Sequence, residues 1–408
     1  MLIRIQYLLY RLAIRFYYMG IRIASWVLSD KATAWISGRE QLKPQLSQFQ
    51  QEKKHDKSIW VHCASAGEYE QGRTFLEALQ QRYSSYNYVL TFFSPSGYQL
   101  YRHSDGIDLV CYLPRDCSRE TMPFLRAINP AMVFFINNDH WLQLTHQLYK
   151  SSIPYYWINS TFTDSWFNRR AMVKSSWARS QAICVQHQAS AQFLKSSGVN
   201  QVYEVGDTRI DTVLKHKEEE FSDNIIESFI QDERVIIYGS IWPADLPIIK
   251  SLLLKHPDWK HILFPHEISD DMISTLEEEF KSTSLYSSTT ETSKTDCLIV
   301  DTVGILKYAY RYASAAYIGG GFGKGIHNTL EPAAYGIPIV FGPKYKKFQE
   351  AIDFITIGAA YSIAMPEEIT SIDLDKAGHI RNILHDYFLK HDNSVGKAME
   401  IVEKNTFV

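Results

Sequence analysis

Residues 318–343 read IGGGFGKGIHNTLEPAAYGIPIVFGP. The stretch follows an apolar, strand-like run at 315–318 and breaks into glycine at 319, 320, 321, 323 and 325. Asn328 or Thr329 can cap a helix whose first turn carries Glu331 and Pro332, residue types suited to such positions. A second apolar run, 338–341, closes on Gly342-Pro343. The reading is strand, glycine loop, helix, strand. That order aims backbone N–H groups and a helix N-terminus at the carboxyl end of a sheet, where phosphates bind. Glu331 would repel a phosphate, so it suits sugar hydroxyls such as a ribose diol. A βαβ turn that merely needs glycine fits the loop equally well, so other segments must decide.

The chain has 408 residues, a length that suggests two domains. Hydrophobic residues make up 45% and charged residues 21%, as in an ordinary globular protein. A net charge of −3 gives no reason to expect a nucleic-acid partner. The five cysteines, at 63, 111, 117, 184 and 297, are scattered without a CxxC pair. That pattern reads as reduced thiols in a cytosolic compartment, without metal-ligand spacing. The 25 tyrosines and nine tryptophans suit surfaces that meet sugars or a membrane interface.

The first 30 residues are apolar and basic, with no acid before Asp30. Arg4, Arg11, Arg15 and Arg22 fall on one narrow stripe at about 100° per residue. The longest uncharged run among them has seven residues, 23–29, whereas a spanning helix needs about 20. A signal peptide would carry its charge only at the start and end in small residues. The expectation is a helix lying in the headgroup layer, arginines toward anionic lipid and Leu, Ile and Phe inserted. An amphipathic helix packed on the domain core is the other reading. The membrane-surface reading places the body of the protein in the cytoplasm, held monotopically or by a single N-terminal anchor.

A polar linker is expected at 45–57. Then 59–63 reads as a strand and 71–83 as an amphipathic helix, with Ala64 to Glu68 as the turn between them. Glu68, just ahead of that helix, is placed to act as a general base on a sugar hydroxyl if burial raises its pKa. A helix-start glutamate favoured by the macrodipole is the alternative. Strands follow at 88–93, 108–113, 130–136, 154–158, 182–186 and 201–205. The turn Ser94-Pro95-Ser96-Gly97 could bind substrate or cap a helix, and the polar cluster Asn137 to Trp141 follows the third of these strands. A mostly parallel, doubly wound sheet is implied. A boundary is expected near 206–211, and a second α/β series runs through strands at 235–238, 261–264, 297–300 and 315–318. Amphipathic helices follow from 378 onward, either bracing the first domain or capping the second.

Two doubly wound domains facing a cleft, with a glycine-rich site in the second, is the GT-B layout. The segments VHCASAGEYEQGR, FFSPSGY, YLPRD, VGDTRID, GSIWPAD, FPHEI and DTVGILKYAYRYASAAYIGGGF, together with the opening stretch, resemble the Kdo transferases of lipopolysaccharide biosynthesis. The likeness runs over nearly the whole chain in order, which no single motif would establish. The expected domains are therefore a membrane-associated helix at 1–30, an acceptor-binding Rossmann-like domain at 31–206 and a nucleotide-sugar domain at 207–408.

The resemblance implies an inverting, metal-independent transferase moving Kdo from CMP-Kdo to the lipid A precursor, without a cofactor. It implies Glu68 as general base. It assigns Arg209, Ser240, His266, Gly320, Gly321, Gly323, Asn328 and Glu331 to the donor. Ser65, Gly67, Ser94, Ser96 and Asp139 go to the acceptor side. One departure stands out: the family usually has glutamate two residues before the tryptophan, where this chain has Asp139, with Asn137-Asn138 ahead of it. A metal held by Asp139 and His140 would need partner ligands that the spacing does not show. The rival readings are a GT-B enzyme using a UDP-sugar, such as a lipid A disaccharide synthase, and a catalytically silent membrane-bound nucleotide-binding protein.

Overall fold

The computed structural model describes residues 2–26, 30–288 and 295–406. The chain forms two units, Met1–Thr212 with Asp392–Val408, and Val213–His391. The boundary thus falls after Thr212 rather than at 207, inside one helix, Thr208–Glu218. A second crossing corrects the expected 207–408 domain. The last helix, Ser394–Thr406, belongs to the first unit. Val395, Ala398 and Val402 bury themselves in that unit's core beside Leu76 and Leu79. Asp211 receives the Ser394 and Val395 amides at 3.1 and 3.3 Å.

The first unit holds seven parallel strands: β1 (Ser58–Cys63), β2 (Asn87–Phe92), β3 (Leu109–Tyr112), β4 (Pro130–Ile136), β5 (Tyr155–Ser160), β6 (Ala182–Val185) and β7 (Val202–Glu204). Their order is β3-β2-β1-β4-β5-β6-β7. Sequences such as PAMVFFI form strands because parallel sheets are covered on both faces and tolerate unbroken apolar runs. The direction of winding reverses between β1 and β4, and ligands of open α/β sheets bind beyond the carboxyl ends of the strands at that point.

The second unit repeats the plan with β8 (Val235–Ile241), β9 (Lys260–Pro265), β10 (Thr283–Leu285), β11 (Cys297–Ile299), β12 (Ala315–Ile318), β13 (Ile339–Phe341) and β14 (Ala360–Ser362). Their order is β10-β11-β9-β8-β12-β13-β14, and the reversal lies between β8 and β12. Strands β10 and β14 are three-residue edge elements whose sequences carry no apolar run, and the sequence reading did not include them.

Helix α1 (Leu2–Trp26) is followed by α2 (Asp30–Glu40) and α3 (Leu42–Glu52). The expected polar linker at 45–57 is therefore mostly helix. Leu42, Leu46 and Phe49 recur at helical spacing and are buried in the core. Helix α1 docks on the same unit through polar side chains: the Tyr10 hydroxyl donates to Asp116 at 2.6 Å, and the Arg11 Nε–H donates to Gln143 at 3.1 Å. Its opposite face leaves Leu9, Leu12, Phe16, Met19, Ile23 and Trp26 exposed, Phe16 at 64% and Trp26 at 80%. Among the described residues no helix is long and apolar enough to cross a membrane.

Candidate active site

In the first unit, β1 ends at Cys63 and helix α4 (Ala66–Arg82) starts after two intervening residues. Ser65 caps α4, its hydroxyl accepting the Glu68 amide at 3.4 Å. The Glu68 carboxylate folds back to accept the Ala64 amide at 2.5 Å. This reciprocal arrangement, close to a capping box, pins the carboxyl at the carboxyl end of β1. The turn after β2 lies against it, since Ser94 donates its amide to the Ala64 carbonyl at 2.8 Å. A Cβ on Gly97 would come within 3.0 Å of the Ala66 amide nitrogen. The Ser94 and Ser96 hydroxyls bond each other at 2.7 Å, while Gly67 is exposed.

Across the switch point, Asp139 follows β4. Its Oδ2 lies 3.2 Å from Nε2 of His62, and the Trp141 indole N–H points at both, 3.2 Å from Asp139 and 3.0 Å from His62. His62 is wholly buried, its Nδ1 2.9 Å from the Thr91 hydroxyl. Nδ1 also lies 3.1 Å from the Thr91 carbonyl oxygen, and the Trp60 indole N–H donates to the Thr91 hydroxyl at 2.9 Å. The Asp139 carboxyl thus accepts the Trp141 indole N–H and faces the buried His62 ring. Burial first, and the Asp139 charge second, push the Glu68 carboxyl up to about 8, against the bond from the Ala64 amide. This is the environment a carboxylate base working near neutral pH requires.

His62, Thr91 and Trp141 escaped the sequence reading. A histidine inside the otherwise apolar run IWVHC was the available signal. His140 does not join Asp139. Its ring lies among Phe162, Phe167 and Trp177, and burial lowers its pKa to about 4. Among the described residues no cluster of three or more His, Cys, Asp or Glu is placed to hold a metal.

In the second unit, the loop after β12 packs so tightly that side chains are excluded. A Cβ on Gly319 would lie 2.3 Å from the Ser240 carbonyl oxygen, and one on Gly321 2.5 Å from Gly342 Cα. Gly320 has φ +88°, a conformation open to glycine. The amides of Gly319, Gly320 and Gly323 are engaged by the Gly239 carbonyl, the Asp245 carboxylate and the Gly320 carbonyl at 2.9, 3.1 and 2.9 Å. The expected cradle of bare amides is therefore narrower. Among the described residues no partner is found for the amides of Gly321, Phe322 and Lys324. Asp245 holds the loop from below, also accepting the Tyr317 hydroxyl at 2.8 Å and the Trp242 amide at 2.8 Å.

The expected helix after the loop is one short element, Leu330–Ala334, without a side-chain cap from Thr329. Asn328 instead accepts the Leu330 amide at 3.0 Å and donates to Glu331 at 3.1 Å. Ser240, the penultimate residue of β8, has φ +56°. His266 stacks on Trp242 and His327, with centroids 4.5 and 4.4 Å apart. The Trp242 indole donates to His327 Nε2 at 3.1 Å, and burial, then His266, lower the His327 pKa to about 4. Ser240, His266, Gly320, Gly321, Gly323, Asn328 and Glu331 thus gather near the loops after β8, β9 and β12. Arg209 belongs to the first unit and is paired with Asp207 at 2.6 Å.

Residues 40–212 match the family model described as "3-Deoxy-D-manno-octulosonic-acid transferase (kdotransferase)". The chain is 26% identical over 302 residues to a 3-deoxy-D-manno-octulosonic acid transferase of Chlamydophila psittaci, covering 70% of this chain and 69% of that protein. It is 26% identical over 325 residues to the corresponding transferase of Aquifex aeolicus, covering 77% and 84%. Among solved structures it is similar to a UDP-GlcNAc 2-epimerase from Neisseria meningitidis bound to UDP-GlcNAc. That likeness has a TM-score of 0.58 at 16% identity and covers 86% of this chain and 99% of that one. Anabaena HepE in complex with UDP aligns with a TM-score of 0.56 at 12% identity, covering 86% and 100%. The structural likenesses bear out the fold of two Rossmann-like units. The sequence matches bear out the recognition from motifs: they support a Kdo transferase, a glycosyltransferase acting in lipopolysaccharide synthesis.

Proposed function

We propose that the chain transfers Kdo from CMP-Kdo to the lipid A precursor with inversion, Glu68 acting as general base. The observation that carries this reading is the Glu68 carboxyl, pinned at the switch point of the first sheet and raised to about 8. In its ionised form Glu68 takes the proton of the acceptor hydroxyl as that oxygen attacks the anomeric carbon and CMP departs. A base so tuned holds a proton more tightly than an ordinary carboxylate, and the driving force for the transfer rises accordingly. Asp139 supplies the neighbouring negative charge that tunes it.

The second unit is assigned the donor. The free amides of Gly321, Phe322 and Lys324 suit phosphate oxygens, and the Asn328–Glu331 pair suits the ribose hydroxyls. CMP and Kdo as donor groups are supported by the family match rather than by any group that reads the base. Arg209 enters this assignment only if it exchanges Asp207 for the donor. The exposed apolar stripe of α1, beside its arginine row, supports docking on the cytoplasmic face of the inner membrane, where an acylated acceptor lies. Incubation with CMP-Kdo and the lipid A precursor should yield an acceptor heavier by a Kdo residue. A wild-type enzyme that leaves the acceptor mass unchanged would overturn the reading.

A further inference from the structure

Arg39 is a half-buried guanidinium with no ion-pair partner among the described residues. Its Nε, NH1 and NH2 donate to the carbonyls of Leu113, Trp35 and Phe93 at 3.2, 3.3 and 3.4 Å. Its Cζ lies 3.4 Å from the Trp35 ring centroid and about 5 Å from those of Phe93 and Tyr112. Desolvation lowers its pKa to about 9, which leaves it charged at neutral pH. Gly38 makes the placement feasible, because a Cβ there would collide with the Tyr112 ring at 2.0 Å. A charge removed from water and left without a counter-anion is costly, and guanidinium geometry matches phosphate.

The guanidinium lines a pocket of about 650 Å³ whose other walls include Arg22, Arg119, Trp35, Leu42 and Phe124. A neighbouring pocket of about 560 Å³ shares Arg22, Arg115 and Arg119 with it and adds Arg11 and Arg15. The first pocket is lined by five cations, Arg22, Arg39, Lys43, Arg115 and Arg119, against two carboxylates, Glu40 and Glu120. Glu120 is taken by Arg115, and Asp116 is sealed by Tyr10 and the amides of Gln143 and Leu144. The Trp35 indole nitrogen, in a side chain only 7% exposed, has no hydrogen-bond partner. At about 100° per residue, Arg11, Arg15 and Arg22 run along α1 between its docked face and its exposed apolar stripe. The cationic lining therefore borders the surface on which apolar chains would lie.

We propose that this arginine-lined pocket beneath α1 binds the phosphate group of an amphiphile, with Arg39 as its innermost contact. The wall behind Arg39 abuts the carboxylate cluster: Phe93 packs on Trp141 with centroids 5.0 Å apart, and Trp141 bonds Asp139. A phosphorylated lipid held here has its polar head separated from Asp139 by the Phe93 and Trp141 rings. That the lipid is the acceptor rests on the proposed function; that the pocket binds it does not.

The test uses the full chain and three probes: phosphatidylcholine vesicles, the same vesicles containing phosphatidic acid, and inorganic phosphate. The protein should prefer the phosphatidic acid vesicles at least about tenfold. Arg39→Gln and the exposed Arg119→Gln should each lower that preference about fivefold, the effect of one basic contact near an anionic surface. Binding to neutral vesicles and thermal protection by CMP should stay unchanged. Retention of the full preference by both folded variants would overturn the proposal. So would protection by inorganic phosphate equal to that by the vesicles, which would mark a free-anion site. Glu68→Gln should bind vesicles as wild type does; if that variant also kept its turnover, the base assignment would fail while the pocket stood.

Discussion

Both units are seven-stranded parallel sheets whose winding reverses beside their first strand, and they put opposite chemistry at that reversal. At the reversal between β1 and β4, the first unit presents carboxyls, Glu68 and Asp139, with a buried histidine behind them. Between β8 and β12, the second presents glycine backbone and stacked rings, with the buried Asp245 carboxylate engaged in holding the loop. The difference matches the roles proposed for the two units. A base needs a charge made unstable by its surroundings, whereas a nucleotide needs rigid donors and little competing negative charge. The fold supplies the location and the side chains supply the function.

The sharpest way to break this contrast is to remove the charge from the first unit alone. Glu68→Gln should lower transfer by about 10²–10⁴-fold while CMP protects the variant from thermal unfolding as it does wild type. The same variant carries a stability signature. A carboxyl raised above its unfolded value stabilises the fold at low pH, and that contribution is lost as pH rises through about 8. Glu68→Gln should therefore unfold at higher temperature than wild type at pH 9, by roughly 1–3 kcal/mol after discounting for partial exposure.

The converse change strikes the second unit. Gly321→Ala places a Cβ 2.5 Å from the Gly342 backbone, which should cost about 1–3 kcal/mol and abolish CMP protection while leaving vesicle binding untouched. Asp139→Asn is a smaller test of the first unit. It removes the charge that raises Glu68, so the rising limb of kcat/KM against pH should move to lower pH, with less than about tenfold change at pH 8. An unmoved limb would assign Asp139 a role other than tuning. Smallest of all, Trp242→Phe keeps the stack on His266 but loses the bond to His327, a change of about 0.5–1.5 kcal/mol read as a slight weakening of CMP binding.

The two sites also differ in how far the sequence disclosed them. The glycine loop was legible because its constraint is local: five glycines within seven residues describe a backbone that no side chain fits. Glu68 was legible as a position, since the strand and the helix start around it are local too. Its tuning was not, because His62, Thr91, Asp139 and Trp141 come from three separate stretches and meet only through the β2-β1-β4 pairing. Arg39 was passed over for the same reason, its rings coming from α2 and the segments at β2 and β3. The helix at 42–52 was mistaken for a linker because its polar residues outnumber the three apolar ones that anchor it. The return of the final helix to the first unit lay beyond periodicity, which shows an apolar face but not what covers it.

The central claim is that Glu68 is the base for Kdo transfer. Its most direct test is the mass of the lipid A precursor after incubation with CMP-Kdo and either wild type or Glu68→Gln at pH 8. The account predicts one or more added Kdo residues with wild type, and an unchanged acceptor with a variant that is still folded and still protected by CMP. Equal Kdo addition by the two proteins would contradict it.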